Sequence, residues 1–154
     1  MNLTPHFTLE EFTRSDTAAR LGIDNALPPQ LMWTAEATAH LMERIRAYLC
    51  TQAKTDIPIE VTSGYRCAAL NQAIGSKPGS DHVRMFAVDF KAPAFGTPYA
   101  VAEALRPAVY GLEIGQLIYE FGSWVHVSTR LSDLPINRIL TINCHGTQPG
   151  IVKG

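Results

Sequence analysis

A chain of 154 residues, 46% hydrophobic and 18% charged, has the composition of one folded domain, able to bury roughly 70% of its unfolded surface. Thirteen basic residues against fourteen acidic ones leave a net charge of −1, which argues against nucleic acid as the main partner. No apolar run approaches the roughly 20 residues that span a bilayer, and Met1-Asn2-Leu3-Thr4-Pro5-His6 lacks the basic and apolar stretches of a secretory signal, so neither membrane insertion nor a signal peptide is expected.

Thr8 and Glu11 fit a capping box, which predicts a short helix burying Phe7, Leu9 and Phe12. Gly22 and Pro28-Pro29 break the chain before an amphipathic helix over 30–49. Its apolar stripe is Leu31, Ala35, Thr38, Leu41, Met42, Ile45 and Leu49. Residues 57–62 alternate as a strand, 67–74 form a short helix stopped by Gly75, and 75–80 are loop by composition. A second strand over 86–90 follows. Thr97 then caps a helix with Pro98 in its first turn, ending near Leu105. Strands over 116–120 and 124–128 flank a tight Phe121-Gly122-Ser123 hairpin, and 138–142 form the last strand. The Gly- and Pro-containing stretch 146–154 reads as a flexible tail. With helices early and most strands late, the class is α+β. One domain over 1–145 is expected, its N-terminal helices at about 8–50 and a core at about 57–142 built on a central antiparallel sheet.

Cys50, Cys67 and Cys144 lie far apart without a CxxC pair and read as reduced thiols. Cys144-His145 reads as a small apolar filler beside a surface histidine rather than a nucleophile and its base. Two histidines and a carboxylate stand out instead. His82 ends the Gly/Ser loop, Asp89 lies seven residues on between apolar Val88 and Phe90, and His126 sits on a later strand. A carboxylate in that setting is costly to bury unless it is paired or bound to a cation. Two imidazoles with one carboxylate are a natural zinc set that leaves a fourth position open. The spacing alone does not establish this set, since a turn-capping Asp89 and two unrelated histidines would give the same pattern.

Ser63-Gly64-Tyr65-Arg66, Leu70-Asn71, Ser80-x-His82-x6-Asp89 and Trp124-Val125-His126-Val127-Ser128 occur in that order, after a Phe7-Thr8-Leu9-Glu10-Glu11-Phe12 opening. Over about 7–130 this resembles the zinc D-alanyl-D-alanine carboxypeptidases and the related phage peptidoglycan endopeptidases. Their superfamily also holds the lysostaphin-type peptidases and the hedgehog signalling domain. The resemblance implies that helices pack on one side of the sheet and that His82, Asp89 and His126 hold one zinc ion per chain. It also implies that Arg66 binds substrate, a role its permanently charged fork suits. Tyr65 joins it at the substrate. Ser80 contacts substrate, orients His82 or simply caps a turn. Trp124 packs beside the site or in the core.

For the general base of a zinc peptidase the candidate is Glu120, six residues before His126. Many relatives carry the carboxylate three residues before the last histidine, where this chain has Ser123. Asp81 and Glu113 are the weaker alternatives. Where relatives have glycine between the first two ligands this chain has Met85, which is tolerated if its φ is negative or else shifts the ligands. The function implied is hydrolysis of peptide bonds in peptidoglycan stem peptides or cross-links by a monomeric phage or prophage protein. Such a protein would reach the wall after release or within a virion. The alternatives are a catalytically weak or inactive zinc-binding module that docks on peptidoglycan or a partner, and a virion structural protein that uses its long helix for assembly.

Overall fold

A computed structural model describes residues 1–154. The chain begins with a small antiparallel ribbon, β1 (Asn2–Thr4) and β2 (Phe7–Thr8), leading into α1 (Leu9–Thr13). Both halves of the capping box form: the Glu11 backbone N–H donates to Thr8 Oγ1, and the Glu11 carboxylate accepts from the Thr8 backbone N–H. Phe7 and Phe12 are buried against each other, with ring centroids 6.2 Å apart. A further helix, α2 (Asp16–Leu21), is capped by Ser15 and closed by Gly22 in the left-handed conformation. The long helix α3 (Met32–Ala53) buries every predicted stripe residue except Leu31, which precedes it in a short 3₁₀ turn.

The remaining elements are β3 (Glu60–Ser63), α4 (Ala68–Ala73), a 3₁₀ turn over Asp81–Arg84, β4 (Ala87–Lys91), α5 (Pro98–Leu105), β5 (Ile114–Glu120), β6 (Trp124–Thr129), β7 (Arg138–Asn143) and β8 (Gly146–Pro149). Six strands form one sheet in the order β3-β4-β6-β5-β7-β8. Every neighbouring pair is antiparallel except β5 and β7, so the sheet is mixed, not wholly antiparallel as expected. The cause is topological. With β4 on one edge of β6 and β5 on the other, the chain leaving β6 crosses past β5 to its free edge, and must then run in the same direction as β5.

The pleat divides the sheet residues cleanly. Val88, Phe90, Leu117, Val125 and Val127 point to one side and join the α3 and α5 stripes in a single core. The alternate residues, among them Asp89, His126, Glu120 and Trp124, share the opposite side. The expected flexible tail is corrected as well, since 146–149 pair with β7 as strand β8. Beyond it the Thr141 hydroxyl donates to the Gly150 carbonyl and accepts from the Val152 N–H, while Ile151 packs against the core. A Gly- and Pro-containing segment is ordered here because the free edge of β7 supplies backbone partners that composition does not reveal.

Candidate metal centre and substrate groove

The three proposed ligands arrive from three places. Asp89 and His126 are directly opposed on the paired strands β4 and β6, so the register alone sets them side by side. His82 comes from the 3₁₀ turn that delivers the chain into β4. The ligand atoms all lie within 4.8 Å of one another, and all three residues are buried. His126 Nδ1 lies 2.8 Å from Asp89 Oδ1, and His82 Nε2 lies 3.3 Å from both Asp89 Oδ1 and His126 Nδ1.

The chemistry of this set fits a cation. His82 Nδ1 faces the Gly64 carbonyl at 2.7 Å, and since a carbonyl can only accept, that nitrogen carries the proton. The lone pair of Nε2 is thereby turned toward the carboxylate and the second imidazole. Such an outer hydrogen bond is the usual device for orienting a histidine ligand. Burial alone would push the Asp89 carboxyl up, but the hydrogen bonds and charges of His82 and His126 hold it well below the usual carboxylate range. His126 is pulled down by burial, yet the Asp89 carboxylate raises it above its ordinary value overall. Two imidazole nitrogens and a carboxylate oxygen thus converge in a buried setting, an arrangement a positive ion would complete.

Local structure explains the Ser-Gly-Tyr-Arg motif. Gly64 packs against α1 so closely that an added Cβ would sit 2.4 Å from the Phe12 carbonyl oxygen, so no larger residue fits there. Tyr65, itself buried, donates its backbone N–H to that same oxygen at 2.6 Å. Asn25, for which the sequence offers no signal, pins the motif from the other side. Its amide donates to the Thr13 and Tyr65 carbonyls and accepts from the Cys67 N–H. Arg66 follows, its backbone N–H on the His82 carbonyl and its guanidinium donating to Ser80 Oγ at 3.1 Å. Ser80 also caps the 3₁₀ turn by accepting the His82 N–H, so one hydroxyl joins Arg66 to a ligand-bearing turn.

Met85 differs from its expectation. Its φ is +58°, in the left-handed region, yet the three ligands still converge. A left-handed non-glycine residue costs about 1–2 kcal/mol. Full burial of the Met85 side chain offsets this by a similar amount, and the Thr38 hydroxyl fixes the Met85 carbonyl at 2.7 Å.

Glu120 sits opposite Trp124 at the mouth of the β5–β6 hairpin, with Oε1 3.8 Å from His126 Nδ1. Burial raises its carboxyl above the ordinary value, against the lowering effect of the His126 and Arg66 charges. Ser123 is exposed in the hairpin and turns its hydroxyl to the Phe121 carbonyl. Glu113 is exposed, pairs with Arg44 and precedes the far end of β5 from Glu120, so the structure does not bring it to the cluster. Asp81 is buried beside His82 with Oδ1 accepting from Ser132. Tyr65, Arg66, Asp89 and Trp124 all line one groove of about 550 Å³, which β3 and residues 14–17 also line. Cys50, Cys67 and Cys144 are free thiols, and no helix is long and apolar enough to cross a membrane.

No curated protein matches the chain. The family model for peptidase M15 does match, over residues 5–128, a span that holds the capping box, the Ser-Gly-Tyr-Arg segment and all three members of the cluster. Peptidases of this family are zinc-dependent, in keeping with the donor set assembled on the sheet. The chain belongs to the peptidase M15 family of metallopeptidases.

Proposed function

We propose that the protein hydrolyses peptide bonds in bacterial peptidoglycan, in the stem peptides or their cross-links. The observation that carries this reading is the meeting of the His82–Asp89–His126 cluster, the Arg66 guanidinium and the Glu120 carboxyl beside one open groove. Zinc held by the three ligands supplies Lewis acidity, which polarises a carbonyl and makes a water easier to deprotonate. Glu120, raised in pKa by burial, takes the proton of the attacking water and returns it to the leaving amine. Arg66 binds a carbonyl or carboxylate of the substrate and is itself held in place by Ser80. Tyr65 and Trp124 wall the groove and restrict water around the reacting bond.

Use by a phage or prophage, with delivery after release or within a tail assembly, follows from the family resemblance of the motifs. Mass spectrometry of muropeptides, after digestion of purified peptidoglycan with the zinc-loaded protein, tests the reading. New peptide termini are expected, and they name the bond. An unchanged muropeptide profile with zinc bound would overturn it.

A further inference from the structure

The groove continues past the cluster, and its outer part carries charges with no partner in the chain. Glu60 stands opposite Lys91 in the β3–β4 register, three residues along β3 from Ser63, which stands opposite Asp89. At about 3.3 Å per residue that is roughly 10 Å from the ligand row. Arg14 and Asp16 line the same groove. Most arginines of this protein are engaged: Arg44, Arg46, Arg84 and Arg106 each hold a carboxylate, Arg130 bonds Asn137, and Arg66 bonds Ser80. Arg14 makes neither an ion pair nor a side-chain hydrogen bond, although Asp16 and Glu60 line the same groove and are themselves unpaired. One free guanidinium and two free carboxylates lining a single groove match a ligand that carries both charges on a single small group.

We infer that this outer groove is a subsite for a peptide side chain ending in an amino group and a carboxyl group on the same carbon. Arg14 takes the carboxylate, and Asp16 and Glu60 take the ammonium. The inference rests on the peptidoglycan reading of the groove and narrows it to wall peptides whose diamino acid keeps a free side-chain carboxylate. Leu70 and Ile74, also lining the groove, offer apolar contact to the methylene stem of such a side chain.

The test compares two tripeptides that differ by that one carboxylate: L-alanyl-γ-D-glutamyl-meso-diaminopimelate and the same peptide ending in L-lysine. Their affinities for the zinc-loaded full chain are measured by calorimetry. Cleavage of the corresponding pentapeptides is followed separately. The diaminopimelate peptide should bind about tenfold to a hundredfold more tightly, the range expected of a charge-assisted hydrogen bond. Arg14→Gln should collapse that gap. Glu60→Gln should weaken both peptides alike, because both carry the amine. Equal affinity of the wild-type protein for the two peptides, or an affinity gap that survives Arg14→Gln, would overturn the subsite. Selective binding without cleavage of either pentapeptide would support the subsite while removing the hydrolytic reading. Cleavage of both without selectivity would do the reverse.

Discussion

The two faces of the central sheet are made by the same strands and do opposite work. On the helix-covered face, Val88, Phe90, Leu117, Val125 and Val127 are 0% exposed and contribute through area removed from water. On the other face, one residue away along each strand, Asp89, His126, Glu120 and Trp124 gather charge that the fold tolerates only because these groups hold one another. Stability and chemistry are thus separated by the period of the pleat. Substitutions on the two faces should therefore fail in different ways.

The sharpest contrast lies between neighbours. His126→Ala should abolish tight zinc retention, measured as metal per chain after dialysis, from about one zinc to near none, and peptidase activity with it. The fold should survive, because the flanking Val125 and Val127 still fill the core. A variant that kept stoichiometric zinc would remove His126 from the centre. Next in size, Glu120→Gln keeps volume and hydrogen bonding but cannot accept a proton, so turnover should fall by roughly two to four orders of magnitude with zinc in place. Ser123→Ala, in the same hairpin, should change the rate far less. Near-normal turnover in Glu120→Gln would move the base elsewhere, with buried Asp81 the first residue to examine.

On the opposite face, Phe90→Ala should cost about 3–5 kcal/mol of unfolding free energy in a denaturant titration. Once folded it should bind the same zinc as the wild type, although Asp89 is the adjacent residue. Loss of metal in the folded variant would show that the two faces are not separable.

The smallest effect lies away from both faces. Glu43 accepts hydrogen bonds from the His6 backbone N–H and ring, each at 2.8 Å. Burial pushes its carboxyl up, but the hydrogen bonds it accepts, chiefly from His6, outweigh this and leave it below the ordinary carboxylate value. A depressed carboxyl adds stability that is fully present above the unfolded value and is lost as the pH falls through the folded one. Wild-type Tm should therefore exceed that of Glu43→Gln at pH 7, by an amount equivalent to about 1 kcal/mol, and the gap should close in melts carried below about pH 4. A constant gap down to pH 3 would sever the link to Glu43.

How much of this was legible in the sequence varies from element to element. Strong periodicity located α3, and the capping box located the start of α1, because both depend on residues within a few positions of each other. The α2 helix has no such signature, because six residues are too few to display a helical period. In the site, the resemblance of the motifs points to His82, Asp89, His126, Arg66 and Glu120, and the fold gathers them, with Asp89 and Arg66 on the groove itself. Asn25, Arg14, Asp16 and Glu60 carried no pattern at all. Each matters only through a neighbour distant in the chain, as when Asn25 grips Tyr65 and Cys67 some forty residues on.

By itself, then, the sequence determined what local chemistry can determine: the caps, the buried stripe of the long helix, the hairpin and the residue types able to bind a metal. Tertiary structure alone decided that β7 runs parallel to β5, that 146–149 become an edge strand and that Met85 is left-handed yet buried. It also decided that two unpaired carboxylates and a free arginine line one groove. The physical reason is the same in each case. A strand edge, a cavity wall or a tolerated left-handed residue takes its energy from a partner far away in sequence, and that partner exists only once the chain has closed on itself.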